Sequence, residues 1–210
     1  MNKKLLPLSV TAIAAALALA GCANGSGTGS SGTSMPGMDH GGTSSSAPST
    51  GAPDSATDHN AADVAFAQMM IPHHAQAVDM SDMMLRKQDI PAEVAALATK
   101  IRAAQDPEID LMTGWLQSWN EPTQMPSGHS SHSMGGMVGD EDLKKLDAAQ
   151  GREAARLFLQ QMIAHHEGAI VMAKTENTAG KNMDAVKLSK DIVSAQEAEI
   201  QEMRKLLAAL

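Results

Sequence analysis

Two pairs of adjacent histidines, each framed by methionines, are the residues in this chain whose types and spacing could do chemistry. The first pair lies in MIPHHAQAVDM at 70–80, and the second lies in MIAHHEGAIVM at 162–172. Neutral imidazole and thioether groups both bind metal ions, and thioether sulfur prefers soft ions such as Cu(I). The pattern therefore indicates metal binding. The alternative interpretation is a set of hydrogen-bonded core histidines, with methionines that fill gaps in the core.

The two stretches are part of a longer internal repeat. Phe66–Met80 matches Phe158–Met172 at a constant offset of 92 residues (158 minus 66), and residues 101–112 match 192–203 at an offset of 91 (192 minus 101). Burying polar groups costs free energy unless they are paired. Polar residues at matched positions in both copies therefore favour metal binding over the core interpretation.

Helical spacing predicts which way the histidines point. The residues around His73 recur at alternating intervals of four and three, which is the seam spacing of a packed bundle helix, and His165 has the same setting. We expect His73 and His165 to face the interior, and His74 and His166 to lie at the flank of the seam. The polar residues on the inner face of each second helix would be their neighbours, and these are Gln105, Glu108, Gln196 and Glu199.

The candidate metal ligands on the helices are Met70, His73, His74, Met80, Met162, His165, His166 and Met172. Two open segments rich in small residues carry the candidate loop ligands Met35, Met38, His40, His129, His132, Met134 and Met137. Cys22 is the only cysteine, so the 16 methionines supply the soft ligands. This donor set favours copper, with silver as a related soft ion, over Mg, Ca or Mn. Zinc is favoured less, because structural zinc sites use cysteine and histidine.

Helices are the elements that must position these ligands, because the sequence has helical periodicity and no alternating strand pattern. Five helices are predicted, with approximate bounds 63–87, 91–119, 140–149, 152–177 and 182–210. Asp63 is the expected cap of the first helix, and Pro72 is expected to kink it. The predicted fold class is all-α, a four-helix bundle in one domain over 61–210. The bundle is made of two repeated helical hairpins at 61–119 and 140–210, and a Met/His loop at 120–139 joins them.

The N-terminal part of the chain is predicted to direct export. Residues 1–21 have the basic start and apolar run of a signal peptide, and the sequence LAGC at 19–22 resembles the bacterial lipobox. Cys22 is therefore the expected lipidation site, and residues 22–60 are expected to be a flexible Gly/Ser-rich tether. We predict a lipid-anchored protein at the outer face of the cell membrane, or in the periplasm or outer membrane.

The charge of the chain excludes one class of partner. The formal net charge is -8, and loss of Lys3 and Lys4 with the signal peptide leaves 14 basic against 24 acidic residues, a net charge of -10. Nucleic-acid binding needs clustered Lys and Arg to neutralise phosphates. The expected partners are instead copper ions and, through the lipid, a membrane. A copper-handling protein partner stays open.

The di-iron enzymes of helical bundles are a less favoured interpretation. Such a site needs a Glu from two helices and Glu-x-x-His from the other two. Here Met70 and Met162 stand three residues before His73 and His165, where the motif requires Glu. The sequence also shows no catalytic carboxylate pair or nucleophile, so we do not expect an enzyme. A metal-dependent oxidase and a metal-free helical interaction module remain as alternatives.

The combined motifs resemble a known bacterial family, the domain of unknown function 305. The resemblance rests on the repeated His-His pattern, the Gln-x-x-Glu-Ile-x-x-Met pattern of both second helices, Trp115 and Trp119, and MGGM at 134–137, and it covers about residues 60–208. It implies a ferritin-like four-helix bundle that is exported or lipid-anchored. Some members bind copper and aid copper tolerance, which implies the same ligand positions here.

These observations together predict an extracytoplasmic copper-binding lipoprotein. It would sequester or buffer Cu(I) and Cu(II) through its His/Met sites for copper tolerance or homeostasis. Imidazole must be neutral to bind a metal, so the contribution of the histidines is expected to weaken below about pH 6.5, their ordinary pKa.

Overall fold

The computed structural model describes residues 58–125 and 134–210, and helices make up most of this part of the chain. The helices are α1 (Ala61–Leu85), α2 (Ala92–Ser118), α3 (Asp140–Ala148), α4 (Gly151–Ala179) and α5 (Met183–Ala209). These two ranges contain no strand, so the predicted all-α class is confirmed. The predicted signal peptide, Cys22 and most of the tether lie outside the described residues, as do Met35, Met38, His40, His129 and His132.

The four long helices form the predicted four-helix bundle. α1 packs along α2, α4 packs along α5, and the two pairs meet mainly through α1 and α4. The short helix α3 packs on α4. Two apolar clusters fill the interior: one contains Met80, Leu97 and Phe158, and the other contains Phe66 and Met112 among its members. Within the described ranges, no helix combines the length and the apolar character needed to cross a bilayer.

The start of α1 differs from the prediction by three residues. Asn60, not Asp63, is the N-cap, and its side chain accepts hydrogen bonds from the backbone N–H groups of Ala62 and Asp63. Asp63 lies in the first turn and its carboxylate accepts the backbone N–H of Asn60, which completes a capping box. Pro72 lies on the exposed side of α1, and the helix continues through it without a break.

Asp63 also joins the two hairpins at one end of the bundle. Its carboxylate is buried and accepts the backbone N–H groups of Lys181 and Asn182, which lie in the turn between α4 and α5. The amide of Asn60 donates to the carbonyl of Ala179 in the same region, at 2.9 Å. We call this set of contacts the end clasp. It fixes the first turn of α1 to the far end of α4.

Glu176 of α4 is buried beside the end clasp and has an unusual protonation state. Burial, and then the hydrogen bond with Asp63 and its charge, raise the pKa of Glu176 to about 8. Burial alone would raise the pKa of Asp63 as well. The hydrogen bonds from Glu176 and from the backbone of Asn182, Asn60 and Lys181 outweigh it and lower that pKa below 3.8. At neutral pH, Glu176 is therefore the protonated member of this pair.

Replacing Glu176 by Gln should change the pH dependence of stability. The folded chain keeps the Glu176 proton up to about pH 8, whereas the unfolded chain loses it near 4.5. Unfolding therefore releases a proton between these values, and this group makes stability fall as pH rises through the window. The side-chain amide introduced by Glu176→Gln is a permanent neutral donor and has no such slope. In urea unfolding across this range, the free energy of unfolding of the variant should increase relative to that of the wild type as pH rises. Parallel curves for the two proteins would contradict the assignment.

Candidate metal site

All four histidines of the two pairs are buried, on the helices through which the hairpins meet. His73, His74 and His166 are 0% exposed and His165 is 1% exposed. The interior position predicted for His73 and His165 is confirmed. His74 and His166, predicted to lie at the flank of the seam, are buried as well, because Glu108 of α2 and Glu199 of α5 contact their rings.

The two inner histidines come from different hairpins and lie against each other. The ring centroids of His73 and His165 are 3.7 Å apart, with an angle of 36° between the ring planes. Burial, and then the neighbouring imidazoles, lower the pKa of His73 to about 3 and that of His165 to about 2. Both rings are therefore neutral far below pH 6.5. The expectation that their metal binding would weaken below that pH does not hold for this buried pair.

Each outer histidine is held by a carboxylate from the second helix of its hairpin. His74 Nε2 lies 2.7 Å from Glu108 Oε2, and His166 Nε2 lies 2.9 Å from Glu199 Oε2. A carboxylate only accepts hydrogen bonds, so Nε2 carries the proton in both rings. In the neutral rings Nδ1 is then left with its lone pair. Histidines that bind metals are commonly oriented by carboxylates in this way.

Five of the ring nitrogens of these four histidines have no hydrogen-bond partner. The unpaired atoms are Nδ1 of His73, His74 and His166 and both ring nitrogens of His165. The side-chain oxygens of Gln105 and Gln196, which we expected to pair with the histidines, are also unpaired. An unsatisfied buried polar atom costs about 1–3 kcal/mol. The site therefore fits a ligand that accepts nitrogen lone pairs, as a metal ion does, better than it fits a satisfied core.

The four candidate methionines of the helices are buried and divided between the two apolar clusters. Met80 and Met162 belong to one cluster, and Met70 and Met172 belong to the other. No group of three or more His, Cys, Asp or Glu side chains within residues 58–125 and 134–210 is arranged to hold one metal ion. An ion bound at the histidines would therefore need thioether ligands to complete its coordination.

A short segment at residues 134–138, which we call the glycine strap, covers His73. His73 Nε2 lies 3.3 Å from the carbonyl oxygen of Gly135. Gln76, one turn further along α1, fixes the strap: its amide donates to the carbonyl of Val138 and its oxygen accepts the Val138 N–H. The MGGM motif, expected to supply loop ligands, thus also contributes backbone contacts. Met134 and Met137 are half-buried within it.

Two glycines allow the strap to approach α4 closely. Gly136 has φ +84°, and a Cβ there would lie 2.6 Å from the carbonyl oxygen of Ala164. A Cβ at Gly168, in the middle of α4, would lie 1.9 Å from the carbonyl oxygen of Gly135. Gly168 was not among the residues predicted to matter. A glycine inside a helical motif was the available signal, since such residues often mark a close packing contact.

Replacing Gly168 by Ala should displace the strap and destabilise the bundle by about 1–3 kcal/mol, the usual cost of overpacking. The clash is with backbone, which cannot rotate away as a side chain can. Gly114→Ala in α2 is the matched control, because a Cβ there meets nothing within 4 Å. The control should be neutral or stabilising, since Ala favours helix. Urea unfolding of both variants checks this, and equal stability would argue against the close approach.

Known proteins with the same fold include metal-bound structures. A DUF305 protein of Streptomyces coelicolor, provisionally described as secreted, is 36% identical with a TM-score of 0.66, over 70% of this chain and 91% of that chain. CopM in its Cu(I)-bound form is 34% identical with a TM-score of 0.60, over 70% and 96% of the two chains. CopM in an Ag-bound form is 34% identical with a TM-score of 0.58, over 70% and 95%.

The family is shown by a match over most of the chain. No curated protein matches this sequence significantly. The profile described as Domain of unknown function (DUF305) matches residues 63–207, which include all of the buried histidines and all but the ends of the bundle. This chain therefore belongs to the DUF305 family.

Proposed function

We propose that this protein binds copper outside the cytoplasm and sequesters or buffers it for copper tolerance or homeostasis. The observation that carries the proposal is the set of five buried imidazole nitrogens without hydrogen-bond partners, at the meeting of the two hairpins. The similarity to CopM, which has been solved with Cu(I), Cu(II) and Ag, supports copper as the ion. The proposed ligands are Met70, His73, His74, Met80, Met162, His165, His166 and Met172.

The chemistry of these groups suits copper in both oxidation states. Imidazole nitrogen binds Cu(I) and Cu(II), whereas thioether sulfur favours Cu(I). The inner rings hold no proton that copper must displace, because burial keeps His73 and His165 neutral. Glu108 and Glu199 keep the proton of each outer ring on Nε2, so Nδ1 is the atom that can bind. Copper binding by the inner pair should therefore depend weakly on pH in the mildly acidic range.

The export signals complete the proposal. A lipid on Cys22 would hold the bundle at a membrane outside the cytoplasm, with residues 23–60 as the tether. The methionines and histidines at 35–40 and 129–137 would add weaker copper ligands. Transfer of copper to a protein partner is compatible with such a position.

Copper titration of a chain that lacks residues 1–22 tests the proposal. We expect uptake of Cu(I) under anaerobic conditions and of Cu(II) in air. X-ray absorption of the Cu(I)-loaded protein should show both nitrogen and sulfur ligands. The melting temperature should rise with copper, because a ligand that binds only the folded state stabilises it. No uptake above background, with an unchanged melting temperature, would instead favour a metal-free interaction module.

A further inference from the structure

A cavity of about 620 Å³ is lined by α1, α2, residues 123–125 after α2, and Met134. Its lining includes Gln68 and Pro72 of α1, Met125 after α2, and Met134 of the glycine strap. We propose that this cavity is a second metal site, which binds a soft monovalent cation such as Cu(I) through the thioethers of Met125 and Met134. This inference extends the proposed function, because it supplies a place where Cu(I) is held next to the histidines.

The two methionines have no evident role in packing. Both are half-buried, and neither belongs to or packs against the two apolar clusters that contain the other buried methionines. Each lines the cavity from a different segment of chain. Two thioethers from separate segments that line one cavity are the ligand pair that Cu(I) or Ag(I) prefers, since sulfur without charge is a soft donor.

Gln68, which lines the cavity, also fixes one of its walls. Pro72 has no N–H, so the carbonyl of Gln68, four residues earlier, lacks its usual helical donor. The side-chain amide of Gln68 donates to the carbonyl of Pro122 at 2.7 Å, which fixes the segment leading to Met125 against α1. The position that matches Pro72 in the second hairpin is Ala164, so these features belong to the first hairpin alone.

The cavity and the histidines share two pieces of chain. Pro72 precedes His73 in α1, and Met134 precedes Gly135, whose carbonyl contacts His73 Nε2. A cation bound by Met134 would therefore be held one residue before Gly135, whose carbonyl contacts His73. Cu(I) can pass from thioether to imidazole by ligand exchange, with no change in oxidation state and no other reactant.

Leucine at both positions tests the site, because it keeps the apolar volume and removes the sulfur. We would titrate the full chain with Met125→Leu and Met134→Leu anaerobically with Cu(I), and separately with Ag(I) and Cu(II). The expected result is the loss of one bound Cu(I) or Ag(I) and unchanged Cu(II) uptake. Met183→Leu is the control, because Met183 is 85% exposed on α5 and lines a different surface. The melting temperature of the double variant should match the wild type.

A second variant separates this inference from the proposed function. With His73 and His165 both replaced by Leu, the cavity should still bind Cu(I), and adding the two methionine substitutions should lower the number of bound Cu(I) ions by one. That result supports the cavity site even if the histidines bind no copper. If the methionine variant binds as many Cu(I) ions as the wild type, with equal affinity, the cavity site is overturned and the histidine site is unaffected.

Discussion

Replacing His73 and His165 together by leucine should weaken copper binding by at least about 100-fold and leave the metal-free protein as stable as before. Two lost ligands correspond to at least about 3 kcal/mol, since each tenfold change in affinity is 1.4 kcal/mol. Three of the four nitrogens in this pair have no hydrogen-bond partner, so leucine removes unsatisfied polar atoms from the interior. The contact of His73 with Gly135 is the hydrogen bond that is lost. Copper competition titrations and urea unfolding measure the two effects.

The outer pair provides the contrast. His74→Leu and His166→Leu should each lower the stability of the metal-free protein by about 1.5–3 kcal/mol, because each removes a buried hydrogen bond to a carboxylate. The effect should be larger at His166, since the Glu199 side chain is 6% exposed and that of Glu108 is 24% exposed. If the inner pair were ordinary core histidines, its replacement would destabilise the bundle just as much. Equal losses from both pairs would therefore refute a ligand-binding role for the inner rings.

Replacing Asp63 by Ala should have the largest effect on stability, a loss of about 3–5 kcal/mol. The substitution removes the carboxylate that accepts three part-buried backbone N–H groups, those of Asn60, Lys181 and Asn182. For a domain of this size the melting temperature should fall by roughly 10 °C. Thermal unfolding followed by circular dichroism measures the change.

Asp79→Ala on the same helix is the control for Asp63. Asp79 is exposed, and a surface substitution of this kind changes stability by less than about 0.5 kcal/mol. Hydrogen exchange gives an independent readout, because the amides of Lys181 and Asn182 should lose protection in the Asp63 variant and keep it in the control. Similar melting temperatures for the two variants would show that the end clasp contributes little.

The helices and the inner face were predictable because they depend on local periodicity. The alternating spacing around His73 and His165 fixes the direction in which each side chain leaves its helix, and that direction was predicted correctly. The burial of His74 was not predictable in this way. It depends on Glu108 of another helix reaching over the ring, and helical phase carries no information on how close that helix lies.

The errors at the caps and the strap have similar physical causes. Asn60 and Asp63 are both good capping residues three positions apart, and only the extended backbone of Asn60 decides which is the N-cap. The glycine strap contacts Gln76 across 62 residues of chain. Such contacts follow from tertiary packing, so the sequence MGGM could be recognised as a loop but not as a cover for His73.

The end clasp has a mechanical consequence. At the N-terminal end of the bundle, Asp58 and His59 contact Asn182 and Trp119. The first turn of α1 follows directly, so a force applied at this end reaches that turn as well. There the hydrogen bonds of Asn60 and Asp63 transmit the force to the end of α4 and the α4–α5 turn. His73 lies ten positions beyond Asp63, about 15 Å along the helix. A force applied at the N-terminal end of the bundle is thereby distributed over both hairpins before it can change the geometry of the paired rings.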